Sequence, residues 1–164
     1  MLDINTFKII LEHAPLVSID LCIVHDDCIL LGKRSNRPLK DRWFTPGGRI
    51  FKNERWQDAI SRIALDELGI QNNPEFQFKI MGLWDHIYSD SIFGSAFSTH
   101  YVNIPHYVFL DRKPKIFLGD QHSEFNWFKL SEVNSENSFH SYVVDYAVFL
   151  MGLTFERRLG SYVS

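Results

Sequence analysis

Apolar and polar positions change period several times along this chain, and each change marks an element. Over residues 3–12, Ile4, Phe7, Ile10 and Leu11 share one helical face; Asp3 can cap the start and Pro15 closes the segment. Two strands are expected next, Leu16 to Val24 and Cys28 to Lys33, joined in a hairpin at His25-Asp26-Asp27. A polar loop runs from Ser35 through Pro38 and Asp41 to Trp43-Phe44, and Pro46-Gly47-Gly48 punctuates the backbone. Residues 54–68 predict a strongly amphipathic helix with Gly69 as its C-terminal cap. Strand patterns return over 76–88, 96–110 and 124–129, with Pro114 and Gly119-Asp120-Gln121-His122 in a loop. Two helical stretches, 130–136 and 139–158, follow and are read as packing elements. Strands interleaved with helices and no linker predict one α/β (α+β) domain over 1–164, with a helical arm at 1–14 and a C-terminal helix at 139–158.

Composition narrows the class of protein. The 164 residues are 45% hydrophobic and 23% charged, with 14 Phe, 6 Tyr and 4 Trp, enough for a filled core and too apolar for disorder. A net charge of −3 argues against a protein that binds nucleic acid through a basic surface. Cys22 and Cys28 form no metal-type pair and are read as free thiols on neighbouring strands. No charged-then-apolar leader pattern opens the sequence. The longest apolar run, 142–155, is broken by Asp145 and short of the ~20 residues of a membrane span, so a soluble cytoplasmic protein without membrane contact is expected.

One carboxylate is out of place. Winding 54–68 as a helix puts Trp56, Ala59, Ile60, Ile63, Ala64 and Leu68 on the apolar stripe, and Glu67 falls within it. A buried carboxylate is costly unless it is paired or bound to a cation. Two readings stand: Glu67 reaches solvent or an arginine, or it holds a divalent metal. Glycines at 47 and 48 favour the metal, because they let backbone carbonyls approach a ligand closely.

Gly48, five residues, Glu54, seven residues, Arg62, then Asp66-Glu67, one residue, Gly69-Ile70 resembles the Nudix box, G-x5-E-x7-R-E-U-x-E-E-x-G-U. That resemblance implies the Nudix fold, a mixed β-sheet sandwiched between helices, and hydrolysis of a nucleoside diphosphate linked to another group. Two positions depart from the box: Ile63 stands where a Glu is expected and Ala64 replaces a bulky aliphatic. The missing Glu would stand one turn before Glu67 as a second anionic ligand. One metal that neutralises the diphosphate is therefore expected, rather than a cluster that activates water.

Further segments are similar to the GDP-mannose mannosyl hydrolase branch: Pro15 to Asp20, Leu31 to Pro38, Trp43 to Arg49, Gly82 to Tyr88, Ser98 to Val102 and Asp120 to His122. The branch implies release of GDP and free sugar from GDP-mannose or GDP-glucose by water attacking the sugar C1 with inversion. It also implies one Mg²⁺ per site, with Mn²⁺ as a substitute, held by the Gly47 carbonyl, Glu67 and Gln121. His122 matches the general base and Arg49 the group that stabilises departing GDP. Arg34, Asp20, His86 and Tyr101 match phosphate and sugar contacts; Glu54, Arg62 and Asp66 orient Glu67 from behind. The N-terminal segment implies a homodimer in which Leu2 and Phe7 contact the nucleotide. Trp43, Phe44, Trp84 and Tyr88 lie beside these motifs and are expected to line the same site, while His13, His25, His106 and His140 match no functional position. Two alternatives use the same motif: a pyrophosphatase that cuts P–O in a nucleotide sugar or nucleoside triphosphate, and a domain that binds nucleotide sugars without turnover.

Overall fold

The structure, a computed structural model, describes residues 3–71, 74–117, 122–134 and 139–161. Strands β1 (Leu16–His25) and β2 (Cys28–Arg34) form the expected hairpin. Asp26 and Asp27 both turn at positive φ, 45° and 59°, which short polar side chains tolerate. Cys22 and Cys28 are free thiols on these two strands.

β1 is long enough to serve two sets of neighbours. Its first half pairs antiparallel with β4 (Gly47–Arg49) and parallel with β7 (Thr99–Asn103). Its second half pairs antiparallel with β2 and parallel with β8 (His106–Phe109). The run expected as one strand over 96–110 is thus two strands. Proline has no N–H for a ladder, and at the break Ile104 donates to the Ser18 carbonyl (2.8 Å) while the Pro105 carbonyl accepts from Met81 (2.9 Å). The run over 76–88 splits likewise into β5 (Lys79–Ile80), paired with β8, and β6 (Trp84–Tyr88), paired with β7. β3 (Trp43–Phe44) and β9 (His122–Lys129) both pair antiparallel with β2.

Two layers of helix cover the resulting mixed sheet, nine-stranded among the described residues. Alternation along β1 sends Ile19, Leu21 and Ile23 to one face, against Ala59, Ile63 and Leu68 of α2 (Trp56–Leu68) or their immediate neighbours. It sends Cys22 and Val24 to the other, with Val143, Tyr146, Ala147 and Leu150 of α3 (Ser141–Ser161). Gly69 closes α2 in the left-handed region at φ 66°, as expected. Trp56, expected on the buried stripe, is 40% exposed; it sits in the first turn of α2, its ring 5.3 Å from that of His106. α1 (Ile4–His13) starts at Asp3, whose carboxylate accepts from the Asn5 and Thr6 amides at 3.1 and 3.0 Å. The helix expected over 130–136 is a single 3-10 turn, Leu130–Glu132; residues 135–138 lie outside the described residues.

Ile23 is fully buried between β2 and α2. Ile23→Ala should cost about 2–5 kcal/mol and Ile23→Val about 0.5–1.5 kcal/mol, read from urea midpoints at unchanged slope.

Candidate active site

β4 sets the geometry of the glycine loop. Leu21 donates to the Pro46 carbonyl (2.8 Å) and Ile50 to the Val17 carbonyl (2.9 Å), so the ladder turns the Gly47 and Arg49 carbonyls off the outer edge of β4. The Arg49 carbonyl accepts there from Arg62 Nη2 of α2 at 2.8 Å. The Gly47 carbonyl, two residues earlier, points the same way. Gly47 itself is obligatory: a Cβ would collide with the Asp20 carboxylate and lie 2.8 Å from the Ile19 carbonyl.

Glu54 and Arg62 meet as a fork. Arg62 Nε and Nη2 donate to Glu54 Oε1 and Oε2 at 2.6 and 2.9 Å, and Oε2 also accepts from the Phe51 amide at 2.8 Å. The guanidinium holds the Glu54 carboxyl below its ordinary range. Arg62 also stacks on the Phe51 ring at 4.1 Å and lies 3.6 Å from the exposed Asp66. Among the described residues Glu67 pairs with His122 and not with an arginine.

Glu67 is 4% exposed, and its Oε2 lies 3.1 Å from His122 Nδ1. A carboxylate can only accept, so the proton between them sits on Nδ1, and the tautomer this hydrogen bond favours has its lone pair on Nε2. His122 was expected in a loop. It is instead the first residue of β9, fully buried beneath Gly32, where a Cβ would lie 2.6 Å from the imidazole Cγ. Its Nε2 has no hydrogen-bond partner among the described residues.

No group of three or more His, Cys, Asp or Glu that could hold a metal occurs among the described residues. The donors that remain are hard oxygens: the outward Gly47 carbonyl and the Glu67 carboxylate, a set that fits Mg²⁺ if other oxygens complete it. Gln121, expected as a further ligand, and Leu2 lie outside the described residues.

A cavity of about 330 Å³ opens on the α3 side of the sheet. The structure brings Asp20, Arg34, His86, Arg49, Tyr101 and Phe7 together around it, with Gly47 and Gly48 at its edge. Phe7 lies in the wall of its own chain's cavity, 4.2 Å beneath the Arg49 guanidinium. Arg34 donates from Nε to the Pro38 carbonyl at 2.9 Å, which anchors the loop above the opening. Burial pushes the Tyr101 phenol up and keeps it a neutral donor. Phe44 and Tyr88 line the cavity as expected; Trp43 and Trp84 do not, and pack instead into the core under α3. Glu67 and His122 are absent from the lining, because Gly32 shares the face of Leu30, which packs with Leu68 of α2. β4 is the seam between the two compartments.

The cavity floor holds residues that sequence reasoning missed. Tyr146 of α3 donates to Asp20 Oδ2 at 2.8 Å and lies 3.1 Å from both His86 Nε2 and Asn103 Oδ1. Asn103 Nδ2 donates to Ser18 Oγ at 2.8 Å. Tyr142, one turn before Tyr146, stacks on His86 at 3.9 Å and 9°. The segment read as plain packing therefore shapes the site. Two tyrosines four apart in an apolar helix were the available signal. Burial pushes Asp20 up to about 6, despite the Tyr146 and Asn103 hydrogen bonds and the Arg34 charge, and pushes His86 down to about 4.

Comparison with known proteins agrees with this fold. The NUDIX domain family matches residues 15–147. The chain belongs to the Nudix family. The low-salt glycan biosynthesis protein Agl8 of Haloferax volcanii is 37% identical over 125 residues, 76% of this chain and 78% of that protein. A MutT NUDIX hydrolase from Burkholderia pseudomallei superposes with a TM-score of 0.59 at 28% identity, over 74% of this chain and 88% of that one. The NUDIX domain of Shewanella oneidensis NrtR, complexed with ADP ribose, has a TM-score of 0.66 over 93% of this chain and 94% of that one; at 17% identity it shares the fold.

The protein is thus a Nudix hydrolase, of a family whose members generally use divalent metals such as Mg²⁺. Its box departs from the pattern for a visible reason. Ile63, in place of the second carboxylate, is 1% exposed and packs under Gly48, where a Cβ would lie 3.2 Å from Ile63 Cγ1. Among the described residues, no helix is long and apolar enough to cross a membrane.

His86 is neutral in the folded protein down to about pH 4, whereas an unfolded histidine takes a proton near 6.5. Between these values the unfolded chain binds more protons, so wild-type stability is lost as pH falls from about 6.5 to 4. His86→Asn removes that loss. The stability difference between wild type and variant should shrink by about 3 kcal/mol across this window, measured by urea unfolding at stepped pH.

Proposed function

We propose that this Nudix hydrolase is a GDP-mannose mannosyl hydrolase, releasing GDP and free sugar from GDP-mannose or GDP-glucose by attack of water at the sugar C1 with inversion. The observation that carries this reading is Ile63. With an apolar side chain packed under Gly48, the helix has no second carboxylate one turn before Glu67 on that face. That suits charge neutralisation of a leaving diphosphate better than a multi-metal attack on phosphorus. The Gly47 carbonyl, Glu67 and Gln121 would hold one Mg²⁺, or Mn²⁺ in its place, which when bound neutralises the diphosphate.

The chain's own groups do the rest. Arg34 and Arg49 meet the charge that grows on the β-phosphate oxygen as its bond to C1 breaks, and Tyr101 donates a hydrogen bond there. Asp20 and His86 hold the hexose in the cavity floor. His122 Nε2 accepts the proton of the attacking water, whose oxygen bonds to C1 while the electron pair of the broken bond leaves with GDP. The Glu67–His122 hydrogen bond supports this role by keeping the lone pair on Nε2. The glycan biosynthesis role in the name of the Agl8 relative is in keeping with a nucleotide-sugar substrate. The reading carries with it a cytoplasmic homodimer, with Phe7 and Leu2 at the nucleotide.

A second reading, a Nudix pyrophosphatase that cleaves P–O in a nucleotide sugar or nucleoside triphosphate, draws on the separation of His122 from the cavity lining. A nucleotide-sugar-binding domain without turnover draws on the ADP-ribose complex of the NrtR domain. Turnover of GDP-mannose in ¹⁸O-water with Mg²⁺ decides among them. Label in mannose is expected; label in GMP or mannose 1-phosphate, or binding without products, rejects the proposal. His122→Gln should lower kcat by about 10²–10⁴-fold with little change in KM, since a base acts in the transition state. Wild-type kcat in that variant removes His122 from the role.

A further inference from the structure

The polar floor of the cavity takes its arrangement from a side chain that is not part of the lining. Tyr146 is fully buried, its ring edge-on to Trp84 at 5.7 Å, and its hydroxyl is ringed by Asp20 Oδ2, His86 Nε2 and Asn103 Oδ1. A phenol has one proton to give. Asp20 is the nearest of the three, at 2.8 Å against 3.1 Å, and the one that can carry negative charge, so the proton goes to the carboxylate. The phenol oxygen is then left to accept, and His86 Nε2 must be the protonated nitrogen that donates to it. His86 Nδ1 consequently carries a lone pair, with the Tyr88 hydroxyl 3.4 Å away. The Asn103 amide is anchored through Nδ2 on Ser18, which leaves its Oδ1 as an acceptor without the Tyr146 proton. Asp20 Oδ1 lies over Gly47, at the cavity edge.

The floor therefore presents Asp20 Oδ1 and His86 Nδ1 as acceptors, with the Tyr146 proton committed to Asp20 Oδ2 and the His86 Nε2 proton to Tyr146. Such a set attracts hydroxyl donors and repels phosphate oxygens, which can only accept. The cations that attract phosphate, Arg34 and Arg49, also line this cavity. From this arrangement we infer that Tyr146 is a positioning residue that fixes Asp20 and His86 as readers of sugar hydroxyls. It thereby sets which sugar the cavity takes, while the diphosphate is held independently by the arginines. The inference rests on reading the cavity as a nucleotide-sugar site; it does not depend on which base, which sugar or which bond is involved.

The test is calorimetric, on the full chain, with Ca²⁺ replacing Mg²⁺ to suppress turnover. GDP-mannose, GDP-glucose and ADP-ribose are titrated alongside bare GDP and ADP, and each sugar's gain over its own diphosphate is compared. Tyr146→Phe should lose about tenfold of the largest sugar gain and most of the discrimination between mannose and glucose. Its affinity for the bare diphosphates should change less than twofold. Asp20→Asn should show the same pattern, and the double variant should lose no more than either single one. An unchanged sugar gain in Tyr146→Phe, an equal loss for bare diphosphate, additive losses in the double variant, or a wild type with no sugar gain would each overturn the inference. If Tyr146→Phe does not fold, Asp20→Asn carries the same expectation for the sugar gain. A wild type that prefers ADP-ribose would reject the GDP-mannose reading, yet leave the role of Tyr146 to be judged by its own readout.

Discussion

Everything in this molecule hangs on the burial of one strand on both faces. β1 is paired along both edges and covered by α2 on one side and α3 on the other, so every side chain from Ser18 to Val24 is enclosed. An apolar residue gains from that position, and a charged one must find partners there. The strand period thus sorts Ile19, Leu21 and Ile23 toward α2 and leaves Asp20 facing α3, nearly buried in the cavity floor. Tyr146 answers that constraint, and the cavity is built around the answer.

The same strand explains why the site has two compartments. β4 extends the sheet from the first half of β1, β2 and β9 from the second, and the glycine loop lies at the join. Gly47 admits the Asp20 carboxylate on the cavity side and turns its carbonyl to the outer edge, where α2 brings Arg62 to the neighbouring Arg49 carbonyl. Behind that edge the Glu54–Arg62 fork ties the loop to α2, while Glu67 and His122 pair beneath Gly32. The strand arrangement therefore separates the groups suited to phosphate and sugar from the groups suited to metal and base. A ligand would have to lie along the seam to engage both.

Much of this was legible in the residues. The hairpin, α1 with its Asp3 cap, α2 with its Gly69 cap, and the burial of Glu67 follow from local periodicity and turn chemistry, which act over a few residues. The spacing from Gly48 through Glu54 and Arg62 to Glu67 marked the family, and the pairing of Glu54 with Arg62 was implied by that resemblance rather than by their separation. It forms because Glu54 precedes the helix and folds back along it. Less legible were the splitting of 76–88 and 96–110 into four strands, the exposure of Trp56, and the strand start at His122. Each depends on which neighbour lies alongside, and that information is not local.

The sequence by itself placed Asp20 within the expected strand Leu16 to Val24 and Glu67 on an apolar helix face. It could not say which partner each would find, because a hydrogen bond between residues 20 and 146, or 67 and 122, depends on how β1 and β9 pack against their helices. Only the tertiary structure decided that Asp20 is held by a tyrosine of α3 and that Glu67 is held by His122 rather than by an arginine. The physical reason is the reach of the forces involved. Helix and turn preferences are settled within a turn of chain, whereas a buried carboxylate takes its partner from whatever side chain the closed core brings within 3 Å or so.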